Sequence, residues 1–348
     1  MARVRIHLVT YRRHPLLARA LQSLRAQTFT DWICEVHNDA PDDPYPGELV
    51  RQAGDSRLRY VPHEKNLGPT ATFNLLYTPV SEPYLSLLED DNWWEPEFLA
   101  TMVAALELHP TVELAWANMR LWREESDGSW TDLGRDIWET SSESPRLFHF
   151  PQLLQINDAL HSNGAMLVRN REPERHRLPP TALFDAVESL RERTFAHPLL
   201  FVPRRLANFA LTRQTSRSSD GQRWAETQFL LAASFLHCVP VTDTGLAQLW
   251  NERRRQRPRS TTLLFQVALG GVRPFRLLRH ARAADWLDFF RALLVHPLSS
   301  WRILRARQRH AEIWEFLLTH TQARVAEAHT VGFCRADEST LVRKRSVP

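Results

Sequence analysis

The chain has 348 residues, of which 43% are hydrophobic, 10% aromatic and 24% charged. That is enough to bury one large core or two smaller ones, and it excludes a disulfide miniprotein, a metal-stapled module and wholesale disorder. The net charge of +4 comes almost wholly from arginine, since Lys65 and Lys344 are the only lysines; it is too small to argue for a nucleic-acid partner, and none is expected.

The first hundred-odd residues alternate strand and helix signals. Val4 to Thr10 is a short β-rich run. Pro15 opens a helix with Leu16, Leu17, Leu21 and Leu24 at helical spacing. Trp32 to His37 reads as a second strand, ending in the polar turn Asn38 to Asp43. Leu58 to Val61 is a third strand. Asn66-Leu67-Gly68-Pro69 is a loop, and Thr70 is the expected cap of the helix carrying Phe73, Leu75 and Leu76. Tyr84 to Leu88 is a fourth strand and runs straight into Glu89-Asp90-Asp91-Asn92. A helix is expected from Pro96 to about Leu108, then a fifth strand from Val112 to Ala117. This alternation predicts an α/β domain with a mostly parallel sheet flanked by helices.

Residues 121 to 143, with Trp122, Trp130 and Trp138 among charges, read as an exposed hairpin or a loop over a cleft. Ala165 to Val168 is another strand. Residues 172 to 182 are a proline-rich loop, and Arg213 to Asp220 is a polar exposed segment. Beyond it the pattern is helical, from about Gln222 to His237 and again after Thr261, with Arg253 to Arg259 as a basic linker. The tail carries Trp286, Phe289, Phe290, Trp301, Trp314 and Phe316 among arginines, as amphipathic helices do. The division expected is an α/β domain over 1–220 and a mainly helical region over 221–348.

Cys34, Cys238 and Cys334 are odd in number and far apart, which predicts neither disulfides nor a zinc site and fits a reducing compartment. The N-terminus lacks a signal-peptide pattern, and no stretch approaches the ~20 apolar residues of a spanning helix. A cytoplasmic protein is expected, with the inner face of the membrane as the alternative.

The strongest chemical signal is Glu89-Asp90-Asp91-Asn92. An apolar strand that ends in clustered acids puts carboxylates at the carboxyl edge of a sheet, where open α/β sheets bind ligands. Such charges repel unless a cation sits between them, and oxygen ligands suit Mg²⁺ or Mn²⁺. Asn38-Asp39 at the end of the second strand could meet a nucleobase or ribose, or could simply make the turn. Asn66, Gly68 and Asn74 form a third group.

In this order the segments resemble the inverting family 2 glycosyltransferases, which have the GT-A fold. The carrying phrases are Val9-Thr10-Tyr11-Arg12-Arg13, Leu24-Arg25-Ala26-Gln27-Thr28, Asn38-Asp39-Ala40-Pro41, Asn66-Leu67-Gly68 with Asn74, and Glu89 through Trp93-Trp94-Glu95-Pro96-Glu97, which matches the family's DxD motif. The likeness is specific over residues 3 to about 118 and weaker to about 215. It implies a nucleotide-sugar half over about 1–118 and an acceptor half over about 119–220. It implies donor contacts from Thr10, Tyr11, Arg12, Asn38, Asp39, Asn66, Gly68, Asn74, Glu89 and Asp90. Asp91, with Glu89, would hold Mn²⁺ or Mg²⁺, and Arg213 would fold over the donor diphosphate. The catalytic base would follow Phe184-Asp185: Glu192 is the first choice, with Glu188 and Asp185 as alternatives. The acceptor would be a glycan, a lipid-linked sugar or a small molecule, as in bacterial polysaccharide biosynthesis. The basic, aromatic tail would lie on an anionic membrane, pack on the catalytic domain or meet a second copy. The rival is a degenerate, non-enzymatic binding protein on the same fold whose tail binds a partner or nucleic acid.

Overall fold

The computed structural model describes residues 2–213, 220–255, 261–271, 273–331 and 343–344. Four parallel strands open the chain: β1 (Val4–Thr10), β2 (Trp32–Asn38), β3 (Leu58–Pro62) and β4 (Tyr84–Glu89). They lie in the order β3-β2-β1-β4. Helices α1 (His14–Arg25), α2 (Tyr45–Ala53) and α3 (Pro69–Asn74) fill the crossovers that parallel strands require. All seven residues of β1 are buried, as expected of a strand covered on both faces.

After β4 the sheet turns mixed. β5 (Trp93–Trp94), α4 (Phe98–Leu108), β6 (Leu114–Glu124), β7 (Trp130–Asp136), β8 (Trp138–Glu139), β9 (Arg146–Phe148), β10 (Met166–Arg169), α5 (Val187–Arg191) and β11 (Leu199–Leu211) follow. The sheet continues β4-β10-β6-β11-β5, with β7 on β6 and β9 on β11. β10 is antiparallel to both its neighbours, whereas β6 and β11 are parallel.

The C-terminal part is helical: α6 (Gly221–Cys238), α7 (Asp243–Arg255), α8 (Thr261–Gly270), α9 (Ala283–Val295), α10 (Pro297–Leu304), α11 (Ala306–Arg309) and α12 (Ala311–Val331). A two-residue strand, β12 (Arg343–Lys344), pairs with β8. Phe229, Leu230, Phe265, Trp314 and Leu317 from these helices belong to the same apolar cluster as Val4, Leu8, Trp116 and Phe201 from the sheet. The expected boundary near 220 therefore separates two kinds of topology around a continuous core. A smaller cluster around Phe150, Trp250 and Leu264 lies among the helices. No helix among the described residues is long and apolar enough to cross a membrane.

Three local expectations need correction. Thr70 is not the cap of α3: Gly68 holds that position at φ +79°, and the Thr70 hydroxyl donates to the Ala182 carbonyl at 3.1 Å. Proline at 69 pushes the helix start one turn position earlier than a threonine cap would set it. The Trp-rich segment is a β6–β7 hairpin, but Trp138 is not exposed; it is 2% accessible and packs against Trp116 and Phe201. Arg253 to Arg255 are the last turn of α7 rather than linker, while 256–259 lie outside the described residues. So do 214–219, most of the expected polar segment.

Candidate active site at the carboxyl edge of β1 and β4

β1 lies between β2 and β4, so the strand order reverses across it. In open α/β sheets such a switch point leaves a crevice at the carboxyl ends of the two diverging strands, where ligands bind. The register pairs Val9 with Glu89, so Thr10 and Tyr11 on one strand meet Asp90 on the next. The Thr10 hydroxyl donates to Asp90 Oδ2 at 2.8 Å, and the Tyr11 backbone N–H reaches the same oxygen at 3.4 Å. Tyr11 itself is half exposed.

Four carboxylates converge here. Burial, with Asp91 and Glu188 close by, holds Glu89 well above its ordinary range. Burial and Asp91 push Asp90 up to about 7. Asp91 is also raised by burial, against the pull of Arg13. The turn Asn163-Gly164 draws the fourth acid in. The Asn163 N–H donates to Glu188 Oε1 at 2.7 Å. A Cβ on Gly164 would stand 2.7 Å from Glu89 Oε2, so only glycine allows this approach. Asn92 ties the cluster down, donating to Glu89 and accepting from the Ala210 N–H of β11 at 3.1 Å.

Two arginines face the acids, Arg13 just before α1 and Arg19 within it, and sequence reading missed them both. Arg13 donates to Asp91 and lies 3.8 Å from Asp90. Arg19 donates to the Asp91 carbonyl at 2.8 Å while its guanidinium sits between Trp93 and Trp130, at 3.8 and 4.2 Å from the ring centroids. Burial lowers Arg19 to about 10, which leaves it charged at neutral pH. Two guanidinium groups against four carboxylates leave an excess of negative charge. The all-oxygen donor set fits a hard divalent cation such as Mg²⁺ or Mn²⁺. Beside the acids a cleft of about 460 Å³ is lined by Arg12, Arg13, Glu124 and Arg213 among others. Arg213 is held there by its N–H to Glu124 at 2.9 Å and its guanidinium to the Ser126 carbonyl at 3.1 Å. Arg12 has φ 54° and a fully exposed ion pair to Asp42.

The donor-side turn is built differently from what the sequence suggests. Asn38 is 1% accessible; its amide donates to the Asp43 carbonyl and the Tyr60 hydroxyl and accepts from the Ala40 N–H. It shapes the turn and has no surface left for a ligand. Asp39 accepts from His63 and from the N–H groups of Leu67 and Gly68, at 2.9, 2.7 and 3.0 Å, and Asn66 donates to the Asp39 carbonyl. These bonds pin the Asn66–Gly68 loop against the end of β2. Asn74 is likewise buried, bonded to both backbone groups of Leu178 and to Arg191, so it joins segments rather than facing the crevice.

Glu192, the first choice for a base, is corrected by its surroundings. It is 2% accessible and accepts four hydrogen bonds: from Gln155 at 2.8 Å, the Leu160 and His161 N–H groups at 2.6 and 3.1 Å, and His161 Nδ1 at 2.7 Å. Burial works to raise it, but His161 and Gln155 outweigh that and hold it at about 2. Such a carboxylate neither meets an acceptor nor takes a proton at neutral pH. Glu188, half-buried, remains beside Glu89 on the crevice side of the same segment, and Asp185 is half-buried as well.

Comparison with known proteins agrees with this reading of the fold. Residues 6–164 match the family model for glycosyl transferase family 2. The succinoglycan biosynthesis protein ExoW of Rhizobium meliloti (strain 1021) is 27% identical over 174 residues, 48% of this chain and 53% of that protein. WcaA of Escherichia coli (strain K12), whose name assigns it provisionally to colanic acid biosynthesis as a glycosyl transferase, is 24% identical over 147 residues, 42% of this chain and 52% of its own length. The chain thus spans about half the length of these curated relatives. In structure, S. aureus TarS 1–349 in complex with UDP-GlcNAc superposes with a TM-score of 0.56 at 11% identity, covering 99% of this chain and 97% of that one. Residues 6–164 accordingly resemble glycosyl transferase family 2, and the chain carries a GT-A-like fold with a helical C-terminal region.

Proposed function

We propose that the chain is an inverting, divalent-cation-dependent glycosyltransferase that moves a sugar from a nucleotide-diphosphate sugar to a hydroxyl acceptor. The observation that carries this is the negatively charged crevice of Glu89, Asp90, Asp91 and Glu188, opening beside an arginine-lined cleft. A diphosphate and a cation together match that pair of charges, whereas a non-enzymatic binding surface would have no need of carboxylates held against their own repulsion.

Asp91 and Glu89 would hold Mn²⁺ or Mg²⁺, which when bound offsets the charge that develops on the departing diphosphate. Asp90, fixed by Thr10, faces the ribose side together with Tyr11. Asp39 and the Asn66–Gly68 loop frame the nucleobase end. Arg12, Arg13 and Arg213 attract the phosphates. In the reaction, the acceptor oxygen bonds to the anomeric carbon from the face opposite the diphosphate. The bond from that carbon to the phosphate oxygen breaks, and the acceptor proton passes to a carboxylate. Glu188 is the best-placed carboxylate for that proton, with Asp185 as the alternative. The names of ExoW and WcaA, which tie them to succinoglycan and colanic acid biosynthesis, support a glycan acceptor.

The tail supports a membrane-surface setting for this chemistry. On α9, Phe289, Ala292 and Leu293 pack on the core. A second apolar face, Leu287, Phe290, Leu294, Val295, Leu298 and Trp301 of α9 and α10, points outward; Leu294 and Leu298 are 82% and 80% accessible. Exposed Arg291 adjoins Phe290 in the chain, and the exposed Arg305 guanidinium stands 5.3 Å from the Trp301 ring centroid. An apolar face rimmed by cations fits an anionic bilayer surface.

Thermal stabilisation across a panel of nucleotide sugars, with and without Mn²⁺, tests the donor reading, because a ligand that binds only the folded state raises the melting temperature. A donor that stabilises only with the cation, and is turned over with inverted product, is the expected result. A panel that leaves the melting temperature unmoved with Mn²⁺ would remove the transferase reading. Sedimentation with anionic and zwitterionic vesicles tests the tail. Salt-sensitive binding to the anionic set is expected, and dimerisation in the absence of lipid would assign the face to a second copy.

A further inference from the structure

Parallel strands buried on both faces normally read as continuous apolar runs. β1 and β2 depart from this on one face. Because side chains alternate along a strand, Arg5 and His7 of β1 share a face with Glu35 and His37 of β2, and the register sets His7 directly against Glu35. His7 and His37 are 2% and 4% accessible. Nothing in the transfer chemistry uses them.

Three ligand-type atoms meet there: His7 Nδ1, His37 Nε2 and Glu35 Oε2. Their separations are 2.9 Å between the two nitrogens, 3.5 Å from His37 to Glu35 and 3.9 Å from His7 to Glu35. A tetrahedral zinc ion with bonds of about 2.0–2.1 Å needs ligand atoms about 3.4 Å apart. The observed triangle brackets that value.

The protons point the same way. His63 Nδ1 donates to Asp39 Oδ1 at 2.9 Å, so Nε2 of neutral His63 is an acceptor. It takes the Nδ1 proton of His37, 3.2 Å away. Nε2 of neutral His37 is then a lone pair, aimed at His7 and Glu35. Arg5 engages Glu35 through Oε1 and Glu82 through a 3.1 Å bond, which leaves Glu35 Oε2 facing the two rings. The His37 Nε2 lone pair and Glu35 Oε2 are thus left to share a single proton, that of His7 Nδ1. Glu35 is partly exposed and gives an entry path.

We propose that His7, Glu35 and His37 form a binding site for a borderline divalent cation, with Zn²⁺ the best match, separate from the carboxylate site at the end of β4. Two imidazoles and one carboxylate select this class over Mg²⁺ or Mn²⁺. On binding, the His7 Nδ1 proton moves to Nε2, which has no partner among the described residues, and no oxidation is involved. His63 and Asp39 supply the outer bonds that orient a metal-bound imidazole. The site does not depend on the transferase reading.

The test is metal content of the full chain, stripped with chelator and dialysed against Zn²⁺ alone, with X-ray absorption at the zinc edge. One Zn²⁺ per chain with two imidazole ligands is expected, retained in Asp91→Asn and lost in His37→Gln and Glu35→Gln. His63→Gln should weaken binding by about 10–100-fold. Should the histidine variant misfold, Glu35→Gln and the wild-type absorption spectrum still decide. Absence of stoichiometric zinc, a spectrum with oxygen ligands alone, or loss of zinc in Asp91→Asn with retention in Glu35→Gln would each overturn the proposal.

Discussion

Glu188 and Glu192 stand one helical turn apart, at the start of α5 and just past its end, yet they live in opposite electrostatic worlds. Glu192 is enclosed by donors from the 155–161 segment, so both of its oxygens have partners and it stays ionised in the core. Glu188 points at other carboxylates, and its presence helps to raise Glu89. A buried carboxylate whose needs are met is part of the scaffold. A cluster whose needs are unmet costs stability and persists where a ligand completes it. The pair teaches that burial alone does not separate structural from functional acids; the sign of what surrounds them does.

The sharpest way to break this comparison is at Asp91. Asp91→Ala should abolish transfer while leaving the denaturation midpoint in chelator unchanged or higher, since it removes repulsion rather than a core contact. A variant that turns over normally would sink the metal-dependent reading. Next in size is the direct contrast. Glu188→Gln should lower kcat by roughly 10²–10⁴-fold, the usual worth of a general base, with donor KM and stability preserved. Glu192→Gln should do the reverse, costing roughly 3–5 kcal/mol of unfolding free energy as a buried partner is broken, with kcat retained in the folded fraction. If Glu188→Gln is fully active and Asp185→Asn is dead, the proton goes to Asp185.

Much of this was legible in the chain, and the limits have physical causes. The strand ends at Thr10, Asn38 and Glu89 were readable because apolar runs stop abruptly at polar clusters. That the three ends adjoin follows from parallel topology. What could not be read was which way side chains face once helices pack. Asn38, Asn74 and Glu192 look like ligand residues in sequence, but partners 5 to 117 residues away enclose them. Arg13 and Arg19 were invisible as site residues because their link to Asp91 is made across α1 and β4. Arg13 carried a signal, since it follows directly on the Thr10-Tyr11 strand end and caps α1; Arg19 carried none. Gly164 carried a hint, as a glycine in the turn His161–Gly164, but its reason, the approach of Glu89, is a tertiary fact.

The smallest expected effect lies in pH dependence, where the two regions should titrate with opposite signs. Glu192 is depressed from its ordinary 4.5 to about 2. Its contribution is therefore fully present above about pH 4.5 and is lost as pH falls through about 2, amounting to roughly 3 kcal/mol for a shift of this size. Asp90 is raised from 3.8 to about 7, so the folded state keeps a proton that the unfolded chain has released. Stability then falls as pH rises from about 4 to about 7. In chelator, urea midpoints should peak between these limbs, near pH 4 to 5. Glu192→Gln should erase only the acid limb, so its deficit against wild type narrows toward pH 2. Asp90→Asn should reduce only the upper limb, to which Glu89 and Asp91 also contribute, and Mn²⁺ should flatten it in the wild type, because a bound cation compensates the charge that proton loss uncovers. A Glu192→Gln deficit that stays constant from pH 7 to pH 2 would mean that the carboxylate is not held ionised by His161 and its neighbours. An upper limb that survives both Asp90→Asn and Mn²⁺ would place the repulsion somewhere other than the end of β4.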